Sequence, residues 1–366
     1  MEFPNLNRQA LSEWIEGNGP YQDVVCSSRI RLARNLKEFP FPRRLNGEGQ
    51  KQIVKKVDAV LGQDAVIKEL GKLRTVMLKD LPAIQRQVFV EKHVISPQQA
   101  DVSGDWAKAV VLRDDEAVAI MVNEEDHLRI QVLLPGLQLV EAFRLASKVD
   151  STIEAVIPYA YDNKFGYLTS CPTNAGTGLR ASVMVHLPGL AMTQQIGKIL
   201  RAFSQVGLAV RGSYGEGTDT KGNLYQVSNQ ITLGRSEMDI IKALSGITKK
   251  LMEQERATRD FLMENRDTGI RLTDRIYRSL GILSYARIIP SGEALGYLSD
   301  IRMGIDMGLI KDIEAKTINE LTVLIRPAYI EYMVGENLSG EERDVARAEF
   351  IRRTLKGKEK LDGGVN

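Results

Sequence analysis

WAKAVVLRDDEAVAIMVNEEDHLRIQVLLPG, residues 106–136, holds three apolar runs separated by two short charged segments. RDDE (113–116) and NEEDH (123–127) are too short and too polar to extend a strand. They read as turns, and the stretch predicts a β-meander. Upstream, DVVCSSRIRLARNL (23–36) is β-branched at its start and partly alternating, which suits a strand running into a loop. Downstream, AVRGSYGEGTDTKGNLYQVSNQITLG (209–234) reads as strand, glycine-rich loop, strand.

Helical spacing surrounds these segments. It appears in GEGQKQIVKKVDAVLG (47–62) at Ile53, Val54, Val57 and Val60, in 137–155, and in 192–208, ending at Gly207. Residues 1–20 read as a short helix and loop. After Gly234 almost everything has a helical period. Ser236 opens a long helix with Asp239 three residues on, and Thr317/Glu320 and Ser339/Glu342 have capping-box spacing. The expected fold class is α+β: an antiparallel sheet flanked by helices, followed by an all-helical C-terminal domain. The division falls near residues 235–270 and is taken as 1–245 and 246–366. The tail KGKEKLDGGVN (356–366) reads as disordered.

Bulk composition narrows the function classes. The chain has 366 residues, 43% hydrophobic and 26% charged, as expected of a soluble globular protein with an ample core. A net charge of only +2 argues against direct nucleic-acid binding, so any basic site must be local. Two cysteines, Cys26 and Cys171, make no disulfide framework and suit a reducing compartment; with three histidines they are too few for an obvious metal site, and none is expected. There is no apolar leader and no run of about 18 apolar residues, so a cytoplasmic protein without membrane contact is expected.

The chemistry lies in arginines and acids. Arg29 and Arg31 in SSRIR are two apart and share one strand face; Arg129, Arg180 and Arg211 recur beside other polar motifs. A guanidinium grips phosphate oxygens in a planar, bidentate fork that lysine lacks. Any one of the five is more often a surface arginine; converging, they would form a polyphosphate cage. NEEDH offers Glu124, Glu125 and Asp126, and RGSYGEGTD offers Glu216 among glycines. That glycine-rich segment has neither the Walker A ending nor the other eukaryotic kinase motifs. CPTNAGTGLRASV (171–183) puts Cys171 before a proline and a glycine-bearing loop; its thiolate becomes credible only if the arginines surround it. The residues alone reach a phosphate or nucleotide site with two candidate carboxylates.

Taken in order, SSRIRLAR, NEEDHLRI, CPTNAGTGLRASV and RGSYGEGTD resemble the catalytic domain of the phosphagen (guanidino) kinases, over roughly residues 20–245. The resemblance implies that Arg29, Arg31, Arg129, Arg180 and Arg211 hold ATP phosphates, with Mg²⁺ carried in on the nucleotide. It implies backbone contacts to ATP from Ser27, Ser28, Arg29, Ile30 and Arg31, from Arg180, Ala181, Ser182, Val183 and Met184, and from Arg211, Gly212, Ser213, Tyr214, Gly215 and Glu216. It places His93 on the nucleotide side, Glu125 as the base, Glu216 as the second guanidinium-gripping carboxylate and Cys171 beside the guanidinium. The Thr-Asn-Ala-Gly-Thr-Gly run would bring backbone close to ATP. Met184 stands where relatives with small substrates often carry histidine.

Two departures refine the resemblance. Only about 25 residues precede SSRIR, where the family has a helical domain, and a helical extension follows from roughly 250 to 366. With RDVARA at 343–348, this resembles the bacterial branch that phosphorylates arginine side chains of proteins. That branch implies a homodimer, protein substrates with accessible arginines including a heat-shock repressor, a zinc-containing activator protein and a Clp-type unfoldase/protease. It also implies a phosphoarginine pocket at Arg343, Asp344 and Arg347, although the pattern alone fits a solvated charged face. Two rivals are a kinase for free arginine or another small guanidino metabolite, and a non-catalytic phosphoarginine reader or nucleic-acid binder. Both carboxylates and all five arginines weigh against a pure reader.

Overall fold

The structure, a computed structural model, describes residues 12–15, 17–104, 107–212, 220–335 and 337–357. Its strands are β1 (Val25–Arg34), β2 (Leu73–Met77), β3 (Ala109–Arg113), β4 (Val118–Val122), β5 (Leu128–Pro135), β6 (Tyr161–Asp162), β7 (Gly166–Tyr167), β8 (Leu179–His186), β9 (Leu208–Gly212) and β10 (Leu224–Asn229). Eight of them form one antiparallel sheet in the order β2-β3-β4-β5-β1-β8-β10-β9; β6 and β7 form a small hairpin. The meander expected from 106–136 is β3–β4–β5, and β1 lies between β5 and β8 at the centre.

The helices are α1 (Gly47–Leu61), α2 (Asp64–Leu70), α3 (Ala83–Glu91), α4 (Pro97–Ala100), α5 (Leu139–Glu154), α6 (Pro188–Met192) and α7 (Ile196–Gln205), then α8 (Glu237–Glu264), α9 (Arg266–Tyr285), α10 (Ser291–Asp306), α11 (Ala315–Leu324), α12 (Pro327–Val334) and α13 (Gly340–Leu355). The α+β reading therefore holds: a sheet flanked by helices, with helices alone from α8 onward. α8 runs unbroken through residues 245 and 246. Its Ile240, Ile241, Leu244, Leu251 and Met252 join the core of the sheet, while α9 packs beside it.

Period two divides the sheet into unlike faces. Ile30 and Leu32, Ile130 and Val132, Ala181 and Val183, and Val227 point to one side and are buried with α1, α5 and α8. On α5, Ala142, Ala146, Val149 and Ile153 form the matching stripe. Burying each of the larger side chains contributes roughly 1.5–3 kcal/mol, so this face anchors the sheet. The opposite face carries residues 29 and 31, 129, 131 and 133, and 180, 182 and 184. One end of that face is covered by Phe89, Val94 and Ile95 on Val110, Ala119 and Met121. The other end is covered by Trp14 and Ile15, from a 3-10 turn at Glu13–Ile15, and by Val323 of α11 on Leu133, Met184 and Leu224. A polar strip remains between them.

Local expectations fare unevenly. Ser236 caps α8 by accepting from the Asp239 amide, and Ser339 and Glu342 form a complete capping box. Thr317 and Glu320 do not. α11 begins three residues earlier, with Glu314 at its N-cap, because Ala315 and Lys316 favour helix and the buried Ile318, Leu321 and Leu324 are served by the longer start. The helix expected from 192 begins at Ile196, because Gln194 takes a φ of +57° and breaks the chain after α6. β2 and α2 to α4 were not expected. Most of the opening segment, residues 1–11, and most of the tail, 358–366, lie outside the described residues.

Arg34 of β1 points to the core face, opposite to Arg31. Its Nη2 lies 2.7 Å from Asp150 of α5, its Nη1 donates to the carbonyls of Ala33 and Thr177, and its guanidinium stacks 3.6 Å from the Tyr167 ring centroid. Both partners are almost fully buried. Removing one member of such a pair leaves a bare buried charge, so Asp150→Ala should destabilise the fold by about 3–5 kcal/mol. Urea unfolding followed by circular dichroism measures this; a change within about 0.5 kcal/mol, typical of an exposed site, would contradict the structural role of the pair.

Candidate functional site

Strand register gathers the arginines. Arg31 of β1 sits directly opposite Arg180 of β8, and Arg29 opposite Ser182. Arg129 of β5 lies opposite Ala33, diagonal to Arg31. Arg211 of β9 pairs with Gln226 of β10, which in turn is opposite Met184. All five expected arginines thus project from neighbouring strands on the polar face.

Their charges are poorly balanced from within. Burial pushes the Arg31 guanidinium well below its ordinary pKa, and Arg29, Arg129 and Arg180 push it in the same direction. Arg180 is lowered by burial, then by Arg211 and Arg129. Among the described residues, the Nε atoms of Arg31 and Arg180 are buried without a hydrogen-bond acceptor. Arg29 is oriented by Gln226 and by Ser182 Oγ at 3.4 Å, and Arg180 by Ser228 Oγ at 3.3 Å. Oriented forks, orphaned N–H groups and mutual repulsion fit a polyanion, which supplies acceptors and opposite charge together.

The acids split into different jobs. Glu124 is buried and takes Arg129 in a fork, at 3.0 and 2.8 Å, with the Ser96 hydroxyl at 2.5 Å. Glu125 is 44% exposed and lies 3.6 Å from Arg129. Burial raises the Glu125 carboxyl, and Asp126 adds to this, while Arg129 opposes. Asp126 is buried and structural: its Oδ1 accepts from Asn35 Nδ2 at 2.7 Å and from the Ser170 amide at 2.6 Å. Asn35 also accepts from the His127 amide and donates to the Leu168 carbonyl. Through this pair the end of β1, the acidic turn and the segment leading to Cys171 are tied together. Glu125 opens onto a cavity of about 460 Å³ lined also by Pro42, Arg43, Gln98, Lys108, Glu124 and Arg129.

Cys171 precedes a 3-10 turn at Pro172–Asn174, with its Sγ 3.0 Å from Thr173 Oγ1. The loop is fixed by Thr232 Oγ1, which donates to the carbonyls of Thr173 and Ala175. A second cavity of about 300 Å³ follows, lined by Thr173, Asn174, Arg180, Arg211, Asn229, Gln230 and Thr232. The glycines have a reason within the fold itself. A Cβ on Gly176 (φ +101°) would meet the Thr232 carbonyl oxygen at 2.9 Å, and one on Gly178 (φ +64°) would meet Arg34 Nη1 at 2.5 Å and the Ala33 carbonyl oxygen at 2.6 Å. The close approach they permit is to the protein's own chain.

Strand pairing bears on the expected backbone contacts. Residues 27–31 are paired on both sides, and 180–184 lie in the β1 and β10 ladders, so these amides are spent inside the sheet. The Ala181 amide is taken by Asn229 Oδ1. Ile30, Ala181 and Val183 point into the core, and Ser28 Oγ donates to the Gly136 carbonyl. Ser27, Ser182 and Met184 remain on the polar face, lining a small recess with Arg29, Gln226 and His93. Burial, reinforced by Arg29, lowers His93 to about 3, so it is neutral there. Gly212 ends β9; Ser213, Tyr214, Gly215 and Glu216 lie outside the described residues. Gln226 and Ser228 are not among the expected residues, although the alternation in LYQVSN puts both on the arginine side. Glu124 was visible in NEEDH, but residue type and spacing alone did not tell it from Glu125; only the resemblance singled out Glu125.

RDVARA opens α13. Arg343 pairs with Glu331 and donates to the Leu338 carbonyl at 3.0 Å. Arg347 is 1% exposed; it pairs with Asp344 and donates to the carbonyls of Ile325 (2.7 Å) and Ile289 (2.9 Å). Arg343 and Arg347 thus share a helix face but serve different partners.

Known proteins align with both halves. Residues 52–258 match the ATP:guanido phosphotransferase C-terminal catalytic domain, and 269–363 match the protein-arginine kinase McsB C-terminal domain. A protein-arginine kinase of Moorella thermoacetica is 50% identical over 96% of this chain and 100% of its own length. One of Halothermothrix orenii is 49% identical over 97% and 99%. A solved lombricine kinase, 24% identical, covers 66% of this chain and 68% of its own with a TM-score of 0.55, a likeness of fold.

A cage of like charges should strain the protein when no anion is bound. Arg31→Met should raise the thermal midpoint of the protein alone and abolish the further rise that inorganic triphosphate gives the parent chain. Scanning fluorimetry with and without triphosphate reads both; an unchanged triphosphate response would remove Arg31 from the cage.

Proposed function

The chain belongs to the ATP:guanido phosphotransferase family and, within it, to the protein-arginine kinases; on that premise we propose that Glu125 and the arginine face transfer the ATP γ-phosphoryl group to arginine side chains of proteins. The observation that carries the reading is the position of Glu125. It is a half-exposed carboxylate 3.6 Å from Arg129, so the acid that can hold a guanidinium borders the cage that can hold phosphate.

Residue types follow from the chemistry. A guanidinium is protonated at any ordinary pH and its nitrogens have no free electron pair. It must lose a proton as the new P–N bond forms and the bond from phosphorus to the ADP oxygen breaks. Glu125 accepts that proton, and its raised pKa suits the task. Arg29, Arg31, Arg129, Arg180 and Arg211 would hold the triphosphate and offset charge that develops on the transferring group. ATP supplies the phosphoryl group, and Mg²⁺ arrives on the nucleotide. Cys171 and Glu216 complete the guanidinium site in this reading, and His93, neutral, lies on the nucleotide side in the small recess with Met184.

The wider assignment extends the same reading. We divide the chain into a catalytic part, 1–245, and a helical part, 246–366, with Arg343, Asp344 and Arg347 as a phosphoarginine-binding motif. The protein works in the cytoplasm as a homodimer, marks proteins for a Clp-type protease, acts on a heat-shock repressor and responds to a zinc-containing activator protein. Among the described residues no helix is long and apolar enough to cross a membrane.

Glu125→Gln should keep nucleotide affinity nearly unchanged and lower single-turnover transfer by roughly 10²–10⁴-fold. A rate near that of the parent chain would remove Glu125 from the base role. The raised carboxyl should also set the acid limb of kcat/KM above the ordinary glutamate pKa of 4.5, activity falling as pH drops through it. A pH–rate profile against protein-bound arginine checks this. Comparing kcat/KM for an unfolded arginine-bearing protein with that for free arginine tests the substrate class; equal values, read by mass spectrometry under acid-sparing conditions, would favour a metabolite kinase.

A further inference from the structure

The cavity beside Glu125 carries one more cation than carboxylate. The cavity beside Glu125 is lined by two carboxylates and three cations, Arg43, Lys108 and Arg129. Arg129 is matched by Glu124. Arg43 is exposed and, among the described residues, has no hydrogen-bonding or ion-pair partner, yet it lies near enough to bias Glu125 electrostatically. Lys108 spends two of its protons on the carbonyls of Gln98 and Asp101, both at 2.6 Å, which leaves one N–H spare; Asp101 and Glu124 bear on its charge without forming an ion pair with it. A target arginine is itself a cation, so these two groups oppose its entry.

Their placement is not loose. Arg43 stands on the 3-10 turn Pro42–Arg44, whose Pro42 is buried. The turn is joined to the acidic loop by His127, which follows that loop directly and whose Nε2 meets the Pro40 carbonyl at 3.0 Å. The His127 Nδ1 accepts from the Leu36 amide, so the ring is a fixed strut with Nε2 as donor. At about 460 Å³ the cavity lies within the roughly 300–1,000 Å³ range of sites that take whole ligands. It has room for more than a guanidinium.

We propose that Arg43 and Lys108 form a carboxylate-recognising subsite that selects arginines bearing an anionic group close by. The inference rests on the kinase reading above and names its preferred substrates. With a carboxylate on the substrate, lining cations that would repel a lone guanidinium become contacts. The carboxylate has two sources: an aspartate or glutamate next to the target in a polypeptide, or the α-carboxylate of a C-terminal or free arginine.

The test uses the full chain with Mg·ATP and blocked peptides, each with one arginine flanked by glutamate, alanine or lysine. An alanine-flanked peptide ending in a free C-terminal arginine and free arginine itself complete the set. The glutamate-flanked peptide should exceed the alanine-flanked one in kcat/KM by roughly threefold to tenfold at low salt, as expected of two partly exposed pairs, and the gap should shrink at high salt. Arg43→Glu should reverse the order towards lysine flanks, and Lys108→Gln should narrow it. A gain confined to the C-terminal and free arginines assigns the subsite to an α-carboxylate instead. Equal values for all flanks, unmoved by Arg43→Glu, would overturn the subsite and leave the kinase standing. No phosphorylation of any peptide or of an unfolded protein would instead sink the kinase reading.

Discussion

A guanidinium cannot relieve crowding by giving up its proton at any physiological pH, and this constraint governs the centre of the molecule. Arg29 and Arg31 on β1, Arg129 on β5 and Arg180 on β8 would spread apart if they stood on loops. Here two antiparallel registers hold them. What offsets the repulsion is the other side of the same strands, where Ile30, Leu32, Ile130, Val132, Ala181 and Val183 are wholly buried against α5 and α8. One pleated strand thus carries the cost on one face and the compensation on the other. Arg34 marks the contrast. Three residues from Arg31 it falls on the opposite face, and there every available contact is made: a carboxylate, two carbonyls and an aromatic ring. Within SSRIRLAR, parity alone separates arginines kept for a ligand from the arginine kept for the fold.

Much of this was legible because it depends on period. Alternation in 106–136 and 23–36 gave the central strands, and pairs two apart gave the shared face of Arg29 and Arg31. The switch to helical spacing after Gly234 gave the second half. What escaped depends on contacts distant in sequence. β2 is only LRTVM, partly buried on a sheet edge, and its apolar signal is too short to separate from its surroundings. The glycines of the Cys171 loop also make room for Arg34, Ala33 and Thr232, which no local pattern announces. The distinction between Glu124 and Glu125 rests on which carboxylate of the turn faces both Arg129 and Ser96, and Ser96 is distant in sequence. The capping signal at Ser339 was legible and the one at Thr317 misleading, because a cap is optional where buried Ile318, Leu321 and Leu324 already fix the helix.

The helical half is joined to the sheet by polar groups that demand specific geometry. Glu91 of α3 accepts from the amides of Ala328 and Tyr329 at the start of α12, and Glu255 of α8 accepts from Gly189 and Leu190 at the start of α6 while pairing with Arg259. Burial raises both carboxyls, and the amides of the helix N-terminus and the arginines around each oppose that rise. Such seams tolerate little rotation, because a small displacement leaves a buried charge without its donors. The helices that close the end of the arginine face are therefore fixed in orientation as well as packed.

That rigidity bears on how RDVARA could take a phosphate. Arg347 is enclosed and supplies the donors for the Ile325 and Ile289 carbonyls, one at the end of α11 and one in the loop before α10. Drawing it away would strand both carbonyls at about 1–3 kcal/mol each, and α11 carries the Val323 that packs on Met184 beside the arginine face. Arg343 is different. It is partly exposed and held by Glu331 and a single carbonyl, contacts that water can replace. Of the two arginines, Arg343 can turn to a ligand at little cost, while Arg347 can do so only by loosening the helix that closes the end of the arginine face. A phosphate that bound both would therefore have to supply the energy to move α11, and one that bound Arg343 with Asp344 would not.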